Sequence, residues 1–266
     1  MIDIHAPHES THTWTDFFIH IATIAIGLLL AIGLEQTVEL IHHRHQRQDL
    51  SEHMRAEAEH NMPIIRESLT RLEVQRTYIQ SLQAALTSGK VSGSTVSVSG
   101  VPPRGGSAIF VSVSRGTWIT AQAAGLVALL PPDQAKLYAR IDFEAEEALH
   151  GEDEMYDKIR LFIAECSRAS FDRNAKGISN LTVAQRDGLL FQLNQLQNAV
   201  ENYMLRLSMV EGADESVIAG ALTVDGMYGY QDAALSRLGF NSSLGGFYGG
   251  QTEGPYQNLS MHPASK

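Results

Sequence analysis

Residues Phe17 to Leu34 form an 18-residue apolar run interrupted only by His20 and Thr23. At ~1.5 Å rise per residue it makes about 27 Å of helix, the thickness of a bilayer's hydrocarbon core. A segment that apolar has two outlets, a lipid phase or the centre of a large core. Its position ahead of roughly 230 more polar residues favours lipid. The next most apolar stretch, Ala121 to Leu130, contains Gln122 and stops at Pro131-Pro132, so it is too short to cross and reads as a buried helix.

A cleaved leader would place small residues much as Ala31-Ile32-Gly33 does. However, the preceding segment carries Asp3, Glu9 and Asp16 and no Lys or Arg, so the positive n-region is missing and an uncleaved anchor is expected. Flanking charge orients it. Arg44, Arg47 and Arg55 follow the span while no cation precedes it, so the positive-inside rule puts the short N-terminus outside and the large domain in the cytoplasm. Within the span Thr23, Gly27 and Ala31 recur every four residues and share one face, which continues into Glu35 and Glu39. Small residues at that spacing let a second helix approach closely, so a homo-oligomer or a membrane partner helix is the expected protein partner, beside the lipid bilayer itself.

Beyond the span the pattern is mainly α: a transmembrane helix continuing as a long stalk, then a small helical bundle with a Gly/Ser-rich loop or hairpin. The expected divisions are a polar tail at 1–16, the transmembrane helix at 17–41, a stalk and amphipathic helix at 42–86, the loop or hairpin at 87–116, the bundle at 117–238 and a disordered tail at 239–266. Asn61-Met62-Pro63 is expected to break or kink the stalk, with Pro63 opening a new helix whose Ile65, Leu69, Leu72, Ile79, Leu82 and Leu86 form one apolar face; Arg76 interrupts it and weakens a pure coiled-coil reading. In the Gly/Ser segment the alternation in Thr95 to Val101 and in Ile109 to Ser114 suits a hairpin around Pro102-Pro103, or a flexible loop. Gly105-Gly106-Ser107 lacks the Lys-Ser/Thr of a phosphate loop.

Helices resume with Thr117 to Leu130, carrying Trp118. A second runs from Pro132 to about His150, where Gly151 should stop it, and a third from Glu152 to about Asp172. Thr182 and Gln185 make a capping box ahead of an apolar stripe of Leu189, Leu190, Leu193, Leu196, Val200, Tyr203, Met204 and Leu207 that runs through about Glu211. Short helices are expected at Asp214 to Leu222 and Gln231 to Leu238.

Net charge of −10 argues against a nucleic-acid partner, and the lone Cys166 excludes an intrachain disulfide and a multi-Cys metal site. Nine of the eleven histidines lie in the first 60 residues. His42, His45, Asp49, His53, Glu57 and His60 sit at three- and four-residue steps, a face that would bind Zn²⁺ or gain charge below about pH 6.5 if it is not simply solvated. The Glu57–His60 and Glu147–His150 pairs share the Glu-x-x-His spacing of di-iron bundles, but the second is crowded by Glu144, Glu146, Glu152, Asp153 and Glu154. With His150 and His262 alone beyond the N-terminal part, no Ser-His-Asp or Cys-His set can be nominated. No catalytic residue, cofactor site or committed metal site is therefore assigned; His42, His45, His53 and His60 stand as minor metal candidates, and Thr23, Gly27, Ala31 and Glu35 as a helix–helix interface.

Phe17-Phe18-Ile19-His20, the run Gly27 to Gln36, Val38-Glu39 and His42-His43-Arg44-His45 together resemble the opening of a family of uncharacterised bacterial single-pass membrane proteins. The similarity extends to the polar stalk at Glu57, Glu59 and Asn61. In broad pattern it also takes in Trp118 and Ala121, Pro131-Pro132 and Tyr138-Ala139. It implies a bacterial inner membrane location and this architecture, and transfers no catalytic residue. An interaction or assembly module is the expected role. The alternatives are a pH or metal sensor built on the juxtamembrane histidines and a metal enzyme built on the two Glu-x-x-His pairs.

Overall fold

The structure, a computed structural model, describes residues 14–102, 113–173 and 177–240. It is mainly α. Helix α1 spans Trp14–Thr87, 74 residues, and two compact units divide within it, Met1–Leu50 and Ser51–Lys266.

The first unit consists, in its described part, of the apolar portion of α1 and the polar turns that follow. This helix is long and apolar enough to cross a membrane, and among the described residues none of its most apolar 18-residue window is buried. Within the described residues the helix is already formed at Trp14, three residues ahead of the expected span, and the Trp14 ring meets those of Phe17 and Phe18 at centroid distances of 6.0 and 6.3 Å.

The second unit is built on the remainder of α1, which runs through Pro63 without a break. The expected helix start at Pro63 is thus corrected, and the reason lies in the packing. Met54, Ala58 and Met62 before the proline and Ile65, Leu69 and Leu72 after it are all buried on one continuous stripe, while the Pro63 ring faces solvent. Burial of some 1.5–3 kcal/mol per large side chain outweighs the ~3 kcal/mol cost of an interior proline. Ile79, Leu82 and Leu86 carry the stripe to the end of the helix, and Arg76, half-buried, bonds Glu73 at 2.8 Å.

Three short strands follow a different pairing from the one expected. β1 (Lys90–Ser92) pairs antiparallel with β2 (Thr95–Val98) across a turn at Gly93, φ +61°, and β2 pairs antiparallel with β3 (Ser179–Thr182). Val96 and Val98 point from β2 into the core, and a Cβ on Gly89 would stand 2.7 Å from Val96 Cγ1. Of the other expected strand, Ile109 to Ser112 lie outside the described residues, as do Gly105 to Ser107, and Val113 and Ser114 are not in a strand.

The helix expected over Thr117 to Leu130 is instead α2 (Gly116–Ala123) and a 3₁₀ turn (Leu126–Leu129), because Gly125 at φ +72° ends α2 in the left-handed conformation that glycine adopts without strain. Gly151 stops nothing. α3 runs from Pro132 through Arg168, and a Cβ on Gly151 would lie 3.0 Å from Arg206 Cδ and 3.4 Å from Tyr203 Cα of the neighbouring helix. Glycine serves there as the contact point of two helices.

That neighbour, α4 (Val183–Ile218), begins at the Thr182–Gln185 capping box, with Gln185 N donating to Thr182 Oγ1 at 3.2 Å and Thr182 N to Gln185 Oε1 at 2.8 Å. It absorbs the short helix expected at Asp214. α5 (Val224–Arg237) closes on it so tightly that a Cβ on Gly212 would sit 2.5 Å from Gln231 Cα. Arg66 of α1 and Arg237 of α5 both bond Glu211 and Glu215 of α4, at 3.0 to 3.2 Å. Phe240 packs partly against the core; of the expected disordered tail, residues 241–266 lie outside the described residues, as do 1–13 of the N-terminal tail.

Candidate functional site

Two places concentrate residues that packing alone does not explain. In the first unit Thr23, Gly27, Ala31 and Glu35 occupy successive turns of α1, all exposed. The Thr23 hydroxyl donates to the Ile19 carbonyl at 2.8 Å and Thr37 does the same to Gly33 at 2.7 Å, so both hydroxyls are satisfied within the helix. Gly27 and Gly33 have no atom of another element within 4 Å of where a Cβ would stand. Their openness leaves the face free for a second helix.

His42, His45, His53 and His60 lie on the same helix with exposed side chains. Among the described residues no group of three His, Cys, Asp or Glu side chains stands close enough to hold a metal ion. The Glu-x-x-His pairs are drawn into other bonds. Glu57 accepts from the Thr117 backbone N–H at 2.7 Å while His60 is exposed, and Glu147 accepts from Arg206 at 2.5 Å while His150 is exposed. Cys166 is buried, and loss of solvation pushes its thiol up to about 11, which makes it an unreactive core residue.

The second place lies inside the bundle and gathers residues from α1, α3, α4 and the segment before α2. Asn61 of α1, 3 % exposed, clasps the backbone of Ser114 in both directions, its Nδ2 donating to the Ser114 carbonyl at 3.1 Å and its Oδ1 accepting from the Ser114 N–H at 2.9 Å. One turn earlier on α1, Glu57 holds the Thr117 N–H. Arg115 turns to α3, where Nε meets Asp142 at 2.7 Å and the guanidinium reaches Glu146 at 3.5 Å. Trp118, 3 % exposed, stands edge-on to Tyr138 at 6.2 Å.

Asp214 of α4 completes this cluster. It is 3 % exposed, lines one small space with Asn61 and Glu57, and its Oδ2 finds no partner among the described residues. Loss of solvation, with the Glu57 carboxylate adding to it, pushes the carboxyl up to about 8 against the opposing pull of the polar Asn61 amide. Asp214, Asn61, Glu57 and Trp118 border a space of about 30 Å³, room for about one water molecule and too little for an organic substrate. The arrangement can hold and release a proton.

Sequence spacing carried a signal for this residue. Asp214 follows Leu207 by seven positions and Val210 by four, so extending the apolar stripe of α4 by one turn lands on a carboxylate. Its partners, 57 and 61 on one side and 114 to 117 on the other, are brought together by long-range packing that no local pattern reveals.

No family model, curated protein or solved structure matches this chain.

Proposed function

We propose that the chain is a single-pass protein of the bacterial inner membrane, acting as a non-enzymatic interaction or assembly module, with its helical domain in the cytoplasm and its span self-associating through Thr23, Gly27, Ala31 and Glu35. The observation that carries this reading is the apolar window of α1, 18 residues with none of it buried among the described residues. Left in water, side chains such as Phe18, Leu29, Leu30 and Leu34, each more than 60 % exposed, would cost about 25 cal/mol per Å² of apolar surface. A bilayer removes that cost, and a second copy of the helix covers the small-residue face. The arginines at 44, 47 and 55 support the orientation.

Fusions of alkaline phosphatase and, separately, a fluorescent protein to the C-terminus test both anchorage and orientation, since each is active on one side of the membrane. The expected result is a fluorescent, phosphatase-negative fusion that stays in the membrane pellet after alkaline carbonate. Release by carbonate would refute the span, and phosphatase activity would refute the orientation.

A second reading, a pH or metal sensor using juxtamembrane histidines, is favoured by the exposure of His42, His45, His53 and His60 along one helix. Replacing all four with Gln separates the two, because an assembly module keeps its function and a histidine sensor loses it.

A further inference from the structure

We propose that Asp214 is a proton-operated latch: with its proton on, the Glu57–Asn61 clasp keeps residues 113–118 docked on α1, and when the proton leaves, the clasp loosens and that segment comes away. The reading concerns the folded bundle alone and is independent of whether the chain spans a membrane.

The geometry makes two demands that conflict once Asp214 is charged. The first concerns donors. Asp214 Oδ2 has no hydrogen-bond partner among the described residues, and the Asn61 amide, which lines the same space, donates to the Ser114 carbonyl. A carboxylate in a buried space draws that amide more strongly than a neutral acid does, because hydrogen bonds to ionised groups are roughly twice as strong. Turning the Asn61 amide toward the carboxylate on ionisation strains its two bonds to Ser114. The second demand is electrostatic. Glu57 faces Asp214 from α1, and its Oε2 anchors the Thr117 N–H, so repulsion between two carboxylates disturbs that tie as well.

The remaining charges around the cluster do not neutralise a second carboxylate. From the segment before α2, Arg115 is engaged by Asp142 and Glu146 of α3. On α4 itself, Glu211 and Glu215 are matched to Arg66 of α1 and Arg237 of α5. His53 and His60 of α1 are exposed. A space of about 30 Å³ beside the carboxyl has room for about one water molecule to take up the leaving proton.

Trp118 reports on the latch, because it borders the same space and is buried beside the clasped backbone. The chain has two tryptophans, so Trp14→Phe leaves Trp118 as the sole indole. The experiment follows Trp118 emission of the full-length protein in detergent from about pH 5.5 to about pH 9.5, the range in which a carboxyl raised to about 8 would titrate. The expected result is a red shift centred near 8 that is abolished in Asp214→Asn, which holds the low-pH spectrum throughout. In parallel, exchange of the Ser114 and Thr117 amides, after allowance for intrinsic base catalysis, should quicken by up to about tenfold per pH unit below the midpoint and level off above it.

Glu57→Gln keeps an oxygen for Thr117 and removes the facing charge, so it should lower the midpoint. That variant decides the matter if Asp214→Asn does not fold. A flat wild-type profile overturns the proposal, as does a transition that survives in Asp214→Asn or a midpoint indifferent to Glu57→Gln.

Discussion

Replacing Gly212 with alanine tests the central packing claim, that α5 lies backbone-to-helix on α4. The added methyl would stand 2.5 Å from Gln231 Cα, 2.6 Å from Gln231 N and 2.7 Å from the Tyr230 carbonyl oxygen. Carbon atoms in contact prefer about 3.5–4.0 Å, so α5 must retreat by about 1 Å, and the obstacle is backbone that cannot swing aside. A gap of that size forfeits roughly a quarter to a half of the dispersion attraction on each contact it opens. Met227, Gln231, Ala234 and Leu235 are the buried side of α5 and lose it together. The Gln231 amide also donates to the Met209 carbonyl at 3.1 Å, a bond worth about 1 kcal/mol that would stretch.

Overpacking of this kind costs about 1–3 kcal/mol, and the better helix propensity of alanine returns about 1 kcal/mol. With the stretched Gln231 bond added, the net expectation is a loss of roughly 1–3 kcal/mol. Gly229→Ala supplies the control, because that glycine lies within α5 with nothing within 4 Å of a Cβ, and there the same change should stabilise by about 0.5–1 kcal/mol. Urea unfolding of the detergent-solubilised protein, followed by far-ultraviolet circular dichroism, reads both variants. If Gly212→Ala proves as stable as the parent or more so, α5 does not sit where the close approach places it and the reasoning fails.

Further outcomes are expected from other sites. The proposed self-association through Thr23, Gly27 and Ala31 should weaken on the order of tenfold with Gly27→Leu in a cross-linking titration, whereas Leu29→Ile, off the small-residue face, should leave it unchanged. Thr182→Ala removes the side-chain bond to Gln185 N and should cost α4 about 1 kcal/mol by thermal unfolding; no loss would show that the cap is immaterial. Cys166, buried with its thiol pushed up to about 11, should resist thiol reagents at neutral pH until the protein is unfolded, and prompt labelling of the native state would contradict its burial. The folded state keeps the Asp214 proton up to about 8, while the unfolded chain releases it near ~3.9. The folded form binds more protons in that window, so this residue's share of stability is greatest at acid pH and declines as pH rises from about 4 to about 8. Denaturant midpoints of Asp214→Asn across that range should lack this share of the decline.

The apolar run at Phe17 to Leu34, the stripe from Ile65 to Leu86, the Thr182–Gln185 cap and the stripe of α4 were legible in the chain because each depends on neighbours three or four residues away. Local spacing determines which face of a helix is apolar, and that is enough to establish a mainly α protein with one helix long and apolar enough to cross a membrane. The same local rules misjudged Pro63, Gly151 and the segment around Gly212, each of which reads as a stop. Tertiary structure decided those positions. A buried stripe on both sides carries α1 through Pro63, while Gly151 and Gly212 are where another helix comes too close for a Cβ. The β1–β2–β3 sheet joins strands far apart in the chain, Thr95–Val98 with Ser179–Thr182, and the Asp214 cluster joins residues 57, 61, 114 to 117 and 214. Such partners meet only when the helices pack, because the free energy that brings them together comes from the burial of the whole core.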